Sequence, residues 1–240
     1  MSTVEYTTHT FPAVSVPPAR VLPLENGAHL TREEFERRYE AMPGLKKAEL
    51  IEGVVYMPSP VRHVQHGKPH GITMGWIAYY ISKTAGLDFS DNASSRLDEF
   101  NEPQPDVAVL LPKHVGGTAR IDEDGYIAGA PDLVAEIAAS SASIDLHDKL
   151  KAYRRNGVRE YLVVRTEDQA IDWFEVVGGA FKPMAADEQG RIRSKLFPGL
   201  WLDPVALLAG DLPNLFAAVD EGVKTEDHRQ FVKKLALLEQ

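Results

Sequence analysis

Apolar positions recur along this chain with two periods, close to 3.6 and close to 2, and the switches between them outline the fold. Residues 1–28 carry Thr, Pro and Val without a sustained period and are expected to form an extended arm. In AHLTREEFERRYEAMPG, Thr31 with Glu34 three residues later forms a capping box, so a helix is expected from Arg32 to just before Pro43-Gly44. AELIEGVVYMPSP predicts a strand over Gly53 to Met57, stopped by Pro58. Ile72, Trp76, Tyr79 and Tyr80 fall at helical spacing and predict a core helix whose start Pro69 obscures. GLDFSDNASSRLDEF reads as a turn around its Ser and Asn residues, and QPDVAVLLP as a β-branched, alternating strand. HVGGTARIDEDGYIAGA is a polar connection, and DLVAEIA is the next strand. IDLHDKLKAYRRNG then reads as a helix with Gly157 just past its end. VREYLVVR and AIDWFEVV predict an antiparallel pair turning around Thr166 to Gln169, and short strands and two terminal helices follow.

Helices interleaved with strands in this order predict an α/β fold with a mixed central β-sheet flanked by helices. The expected division is an arm over 1–28, one domain over 29–205 and a C-terminal helical extension over 206–240.

Composition narrows the chemistry. The 240 residues are 44% hydrophobic and 25% charged, enough for a substantial core, with no run of about 18 apolar residues to cross a membrane. The start of the chain lacks the apolar segment of a secretory signal, so the expected location is cytoplasmic. With no cysteine, thiolate metal sites, disulfides and a cysteine nucleophile are excluded. The net charge of −9 argues against a surface that binds nucleic acid everywhere, but leaves room for a local basic groove. Lys46, Lys47, Lys151, Arg154, Arg155 and Arg159 are the cations for such a groove, or are ordinary solvated charges.

One residue breaks the pattern. Glu136 sits inside the apolar strand DLVAEIA, where an unpartnered carboxylate is costly. Alternation puts it on one face with Val134 and Ala138, and it gives Asp106 the same place beside Ala108 and Leu110. Two carboxylates converging from adjacent strands require a cation between them. Oxygen ligands of this kind suit Mg²⁺ or Mn²⁺. On the following helix the buried stripe is Leu146, Leu150 and Tyr153, and Lys149 lies roughly 60° from Leu146, at the stripe's border. Its ammonium can reach inward, with Asp145 one turn before it on the same flank. Two partners therefore satisfy Glu136: a metal shared with Asp106, or the ammonium of Lys149. His63, His66 and His70 form a histidine face only if that stretch is helical, which Pro69 disturbs. Ser140, Ser141 and Ser143 have no nucleophile elbow around them and are expected to cap the next helix.

Pro105-Asp106 followed by Glu136 resembles the PD-(D/E)xK nuclease superfamily. Within it the chain resembles the Uma2 (DUF820) family in AELIEGVVYMPSP, His63, QPDVAVL, PDLVAEIAASSASIDLHDKLKAYRRNGVREYLVV and FPGLWLD, which together span roughly residues 30 to 205. The resemblance implies a restriction-endonuclease-like core and a Mg²⁺-dependent (or Mn²⁺-dependent) DNA endonuclease, with Asp106 and Glu136 as metal ligands. It does not carry over the lysine of E-x-K, because Ala138 stands there; the family generally lacks that lysine, and Lys149 is its substitute. Glu49 and Glu52 match the acidic positions of the family's early E-L-I-(D/E)-G motif and are supporting candidates, with His63 and Asp145. The partner so implied is DNA, with a homodimer suited to cutting both strands. The competing readings are a nuclease fold without catalysis that binds nucleic acid or a protein, and an interaction protein in which Glu136 and Lys149 are a buried structural pair.

Overall fold

The computed structural model describes residues 21–57 and 60–237. The expected arm therefore lies outside the described residues up to residue 20, as does the Pro58 stop. The strands are β1 (Glu49–Ile51), β2 (Val54–Tyr56), β3 (Asp88–Asp91), β4 (Ser95–Arg96), β5 (Val107–Leu110), β6 (Arg120–Ile121), β7 (Ile127–Ala128), β8 (Leu133–Ala138), β9 (Glu160–Arg165), β10 (Ala170–Val177), β11 (Ala180–Pro183), β12 (Ile192–Arg193) and β13 (Trp201–Leu202). The helices are α1 (Arg32–Glu40), α2 (Lys68–Ser82), the single turn α3 (Ala142–Ile144), α4 (Leu150–Asn156), α5 (Pro204–Ala209), α6 (Leu212–Gly222) and α7 (Glu226–Leu235). Two π-helical turns, His63–Gly67 and Asp145–Lys149, lead into α2 and α4.

Six strands form one mixed sheet in the order β11-β10-β9-β8-β5-β3. β8 and β9 run parallel and the remaining neighbours antiparallel. Period-2 alternation gives the sheet two apolar faces. Val107, Val109, Leu133, Ala135, Ile137, Leu162 and Val164 look toward α2 and the C-terminal helices. Val134, Ala138 and Val163 look toward α4 and its Tyr153. On the first face Trp76 meets Trp173 edge to face, with centroids 5.7 Å apart, and donates its indole N–H to the Trp201 carbonyl at 3.0 Å. Such a ring pair adds about 1 kcal/mol beyond its burial. Leu215, Val219, Phe231 and Leu235 of α6 and α7 belong to this same core.

Several local expectations need correction. Thr31 caps α1 by accepting from the Glu34 N–H, but the Glu34 carboxylate pairs with Arg37 and Arg38 instead of closing the box. AELIEGVVY is a hairpin of two strands, not one strand, because Glu52 (φ 51°) and Gly53 (φ 77°) make a left-handed two-residue turn. DFSD, read as part of a turn, is edge strand β3, and the polar connection after β5 contributes β6 and β7 to a small sheet with β4. Pro69 falls in the first turn of α2, where a missing N–H costs nothing. Three helices, not two, end the described chain.

Candidate active site

The register of the sheet brings the two suspected acids together. Val107 pairs with Ala135, so one step further Asp106 stands opposite Glu136 on the α4 face. Residues directly opposite across strands have Cβ atoms about 5 Å apart. Asp106 lies just before β5 rather than within it, as QPDVAVLLP had suggested, and is 3% exposed. Its Oδ2 accepts the Ile137 N–H at 2.8 Å and lies 3.2 Å from His66 Nε2. Its Oδ1 faces the Lys47 ammonium at 3.6 Å. Burial alone would raise the Asp106 pKa. The bonds from His66 and the Ile137 N–H, with the Lys47 charge, outweigh it and hold the carboxyl well below its ordinary range.

Glu136 is also 3% exposed. Its Oε1 accepts from Lys149 Nζ at 3.0 Å and from the Tyr153 hydroxyl at 2.7 Å. Lys149 lies 2.9 Å from Glu49 Oε1 and 3.6 Å from Asp145 Oδ1, so three carboxylates enclose one ammonium. Glu49 also accepts the Gln104 N–H at 2.8 Å. Asp145 accepts from the Ser141 hydroxyl at 2.6 Å, and this is where the serine cluster acts: Ser141 binds Asp145 and makes no side-chain cap. Burial first, then the charges of Asp145, Asp106 and Glu49, raise the Glu136 pKa against the pull of Lys149. Burial likewise raises Asp145. Burial opposes the charge on Lys149, but Glu136, Glu49 and Asp145 hold its pKa well above the lysine range.

Of the residues singled out in the sequence, Asp106, Glu136, Lys149, Glu49 and Asp145 converge. Two do not. Glu52, in the hairpin turn, pairs at 2.7 Å with Arg155, an exposed residue of α4. His63 is exposed at the start of its π turn, and its place beside Asp106 is taken by His66 three residues later. His66 Nδ1 is buried without a hydrogen-bond partner. His70 Nε2 sits 3.0 Å from the Asp106 carbonyl oxygen and 3.1 Å from Asp91 Oδ1. Lys149 is buried rather than on the border of the helix stripe, because its turn is π-helical and 100° per residue no longer applies there. In the sequence Lys47 stands out only as a groove cation and His66 only as part of a histidine face, neither with a contact to Asp106, and Tyr153 only as part of the buried stripe, without a role for its hydroxyl. The signal for Tyr153 was the run Asp145, Lys149, Tyr153, four residues apart each time, which places all three on one side of the helix.

The donor set can be matched to a cation. Glu49, Asp106, Glu136 and Asp145 outnumber Lys47 and Lys149 by two, so full ionisation leaves the charge of one divalent ion. Both protein contacts of Glu136 fall on Oε1, and both hydrogen bonds of Asp106 fall on Oδ2. One oxygen of each acid is thus without a hydrogen bond among the described residues. Among the described residues no three His, Asp or Glu side chains form a metal-holding group. The Asp106 and Glu136 pair is nevertheless the kind of donor set that Mg²⁺ or Mn²⁺ takes, one or two carboxylates with the remaining positions filled by water and phosphate oxygens. It does not fit a closed tetrahedral Zn²⁺ site.

Comparison with known proteins bears on the fold and the family. No curated protein matches the chain. Among solved structures, one described as a "putative nuclease belonging to DUF820" from Anabaena variabilis aligns with a TM-score of 0.50 at 14% identity, over 76% of this chain and 97% of that one. At that identity the likeness is one of fold. Residues 32–206, which carry both acids, Lys149 and the whole six-stranded sheet, match the family model described as "Putative restriction endonuclease", and the chain belongs to that family, Uma2.

Proposed function

We propose that the protein is a divalent-metal-dependent endonuclease that hydrolyses phosphodiester bonds in DNA, acting in the cytoplasm. The observation that carries this reading is the pair formed by Asp106, at the entry to β5, and Glu136 of the neighbouring strand β8, each with one oxygen left without a hydrogen bond among the described residues. Membership of a family described as "Putative restriction endonuclease" supports it. A bound Mg²⁺ or Mn²⁺ would neutralise the phosphate and activate a water. The chain's own residues prepare the site for it. His66 and the Ile137 N–H fix Asp106 through Oδ2, leaving Oδ1 without a hydrogen bond beside the Lys47 ammonium. Tyr153 and Lys149 fix Glu136 through Oε1 in the same way.

A second reading, a nuclease fold that binds without cutting, has one specific observation in its favour: Ala138 occupies the position of the superfamily's lysine. The two separate on one experiment. Wild-type protein should cleave a DNA panel with Mg²⁺ or Mn²⁺ and not with EDTA, and millimolar Mg²⁺ should raise its melting temperature. Asp106→Asn should lose both effects and stay folded. DNA binding without cleavage under either ion would favour the second reading; an unshifted melting temperature together with intact DNA would end the first.

A further inference from the structure

Lys149 is poorly placed to touch a substrate. Its side chain is 6% exposed, it makes hydrogen bonds to Glu49 and Glu136, and its remaining side faces Asp145. An ammonium has three donors and no more, so one drawn toward a phosphate would leave buried carboxylates unpaired. The site nevertheless needs a cation at its mouth, because a phosphodiester brings negative charge to a place where carboxylates already predominate.

One lysine meets that need. Lys47 enters β1 two residues before Glu49, so the two side chains project to the same side of the chain. Both reach the site, Glu49 at Lys149 and Lys47 at Asp106. Lys47 differs from Lys149 in every respect that matters to a ligand. Its side chain is 27% exposed. It makes one hydrogen bond, to Asn92 Oδ1 at 2.8 Å, and its 3.6 Å approach to Asp106 Oδ1 is too long to be another. Two of its three N–H donors therefore have no hydrogen-bond partner among the described residues. Asn92, at φ 52° just past β3, holds the ammonium over the oxygen of Asp106 that carries no hydrogen bond.

Resting on the nuclease reading above, we infer that Lys47 is the catalytic cation that contacts the scissile phosphate, and that Lys149 is a positioning residue that holds Glu49, Glu136 and Asp145 together. Lys47 donates to a non-bridging phosphate oxygen and stabilises the charge that gathers there as water attacks. Lys149 never leaves its carboxylates.

The test compares full-length Lys47→Met, Lys47→Arg and Lys149→Met with wild type in three measurements: DNA cleavage with Mg²⁺, binding of a labelled duplex with Ca²⁺ across a salt series, and thermal unfolding. Loss of one preorganised donor at a reacting oxygen slows an enzyme about 100-fold or more. Lys47→Met is expected to lose that much cleavage at an unchanged melting temperature, and Lys47→Arg to keep part of it. Losing one phosphate contact should lower the salt dependence of binding by about one unit of slope. Lys149→Met is expected to melt well below wild type. Wild-type cleavage by Lys47→Met, or a melting temperature lowered as far as in Lys149→Met, overturns the inference and leaves the nuclease reading standing. If wild type fails to cleave, that reading falls and the binding arm judges Lys47 alone: a reduced slope supports the phosphate contact, and an unchanged slope or no binding at all overturns it.

Discussion

Glu102 should carry a proton at neutral pH, and that proton should shape the stability curve. Its side chain is 2% exposed, and its Oε2 is buried with no hydrogen-bond partner. Burial first, and then the neighbouring Glu36 carboxyl, push its pKa from 4.5 up to about 8, against the charges of Arg96 and Arg32. Between those two values the folded protein keeps a proton that the unfolded chain releases. Stability contributed by this group is thus complete below the unfolded value and is lost as pH rises through the folded one. A single group changes stability by about 1.4 kcal/mol per pH unit in such a window, which sets a ceiling on the order of 5 kcal/mol here; relaxation around the acid pair lowers what is realised. For a chain of this size each kcal/mol moves the melting temperature by about 2–4 °C. Glu102→Gln keeps the shape and a donor facing Glu36 but cannot ionise. Melting of variant and wild type, followed side by side from pH 5 to 9, should show near-equality at pH 5 and an advantage of several degrees for the variant by pH 8.5. The difference cancels the other buried acids, Glu136, Asp145 and Glu160, whose pKa values are also raised. A difference that stays flat, or a variant that falls behind in alkali, would refute the reasoning. The group matters to the site because Glu102 exchanges both backbone hydrogen bonds with Leu50, next to Glu49.

Lys149→Met should cost about 3–5 kcal/mol in urea unfolding, since it strands buried carboxylates; adding Glu136→Gln should return part of that loss, and strict additivity of the two changes would count against their pairing. Gly222→Ala would set a Cβ 2.3 Å from the Gly199 carbonyl oxygen, backbone against backbone. It should destabilise by about 1–3 kcal/mol and speed hydrogen exchange in α6 and α7 first, whereas unchanged exchange there would mean these helices are not seated through that contact.

What the sequence revealed and what it hid have physical reasons. Alternation made β5, β8, β9 and β10 readable, because their faces pack on different layers and a carboxylate such as Glu136 stands out against them. The hairpin of β1 and β2 was half hidden because its turn uses Glu52 in a left-handed conformation, which no Asn-Gly or Asp-Gly pair announces. β3 was lost because an edge strand with the sequence DFSD has no apolar alternation to show. Glu49 was assigned a supporting role and lies at the centre, whereas Glu52, three residues on, turns away to Arg155. The choice between them is made by the turn, not by any property of the two side chains. Lys47 and His66 stand out in the sequence only as a groove cation and a member of a histidine face; their pairing with Asp106 is hidden because both meet it across more than 35 residues of chain, a pairing that depends on where the loops before β5 fall.

The position of the Lys149 ammonium accounts for Ala138, which stands where the E-x-K pattern would place a lysine. Ala138 is 1% exposed and packs in the apolar cluster of Val134, Tyr153, Tyr161 and Val163 beneath α4. A lysine there would have to bury its stem among two tyrosine rings that already lie 5.0 Å apart. Here the ammonium arrives from the helix instead, and the π-helical turn is what allows it. In that turn Asp145 and Lys149 are both buried, while Leu150 and Tyr153 keep the helix seated on the same cluster. His66, the other side chain that reaches the acids from outside the strands, also rides on a π-helical turn, His63–Gly67. Wide turns of this kind recur at functional sites because an extra residue re-aims the side chains around it. Two of them converge on two cross-strand acids, and the polar groups they deliver hold one oxygen of each acid while leaving the other without a hydrogen bond. A merely structural ion pair would have no need to hold both acids that way.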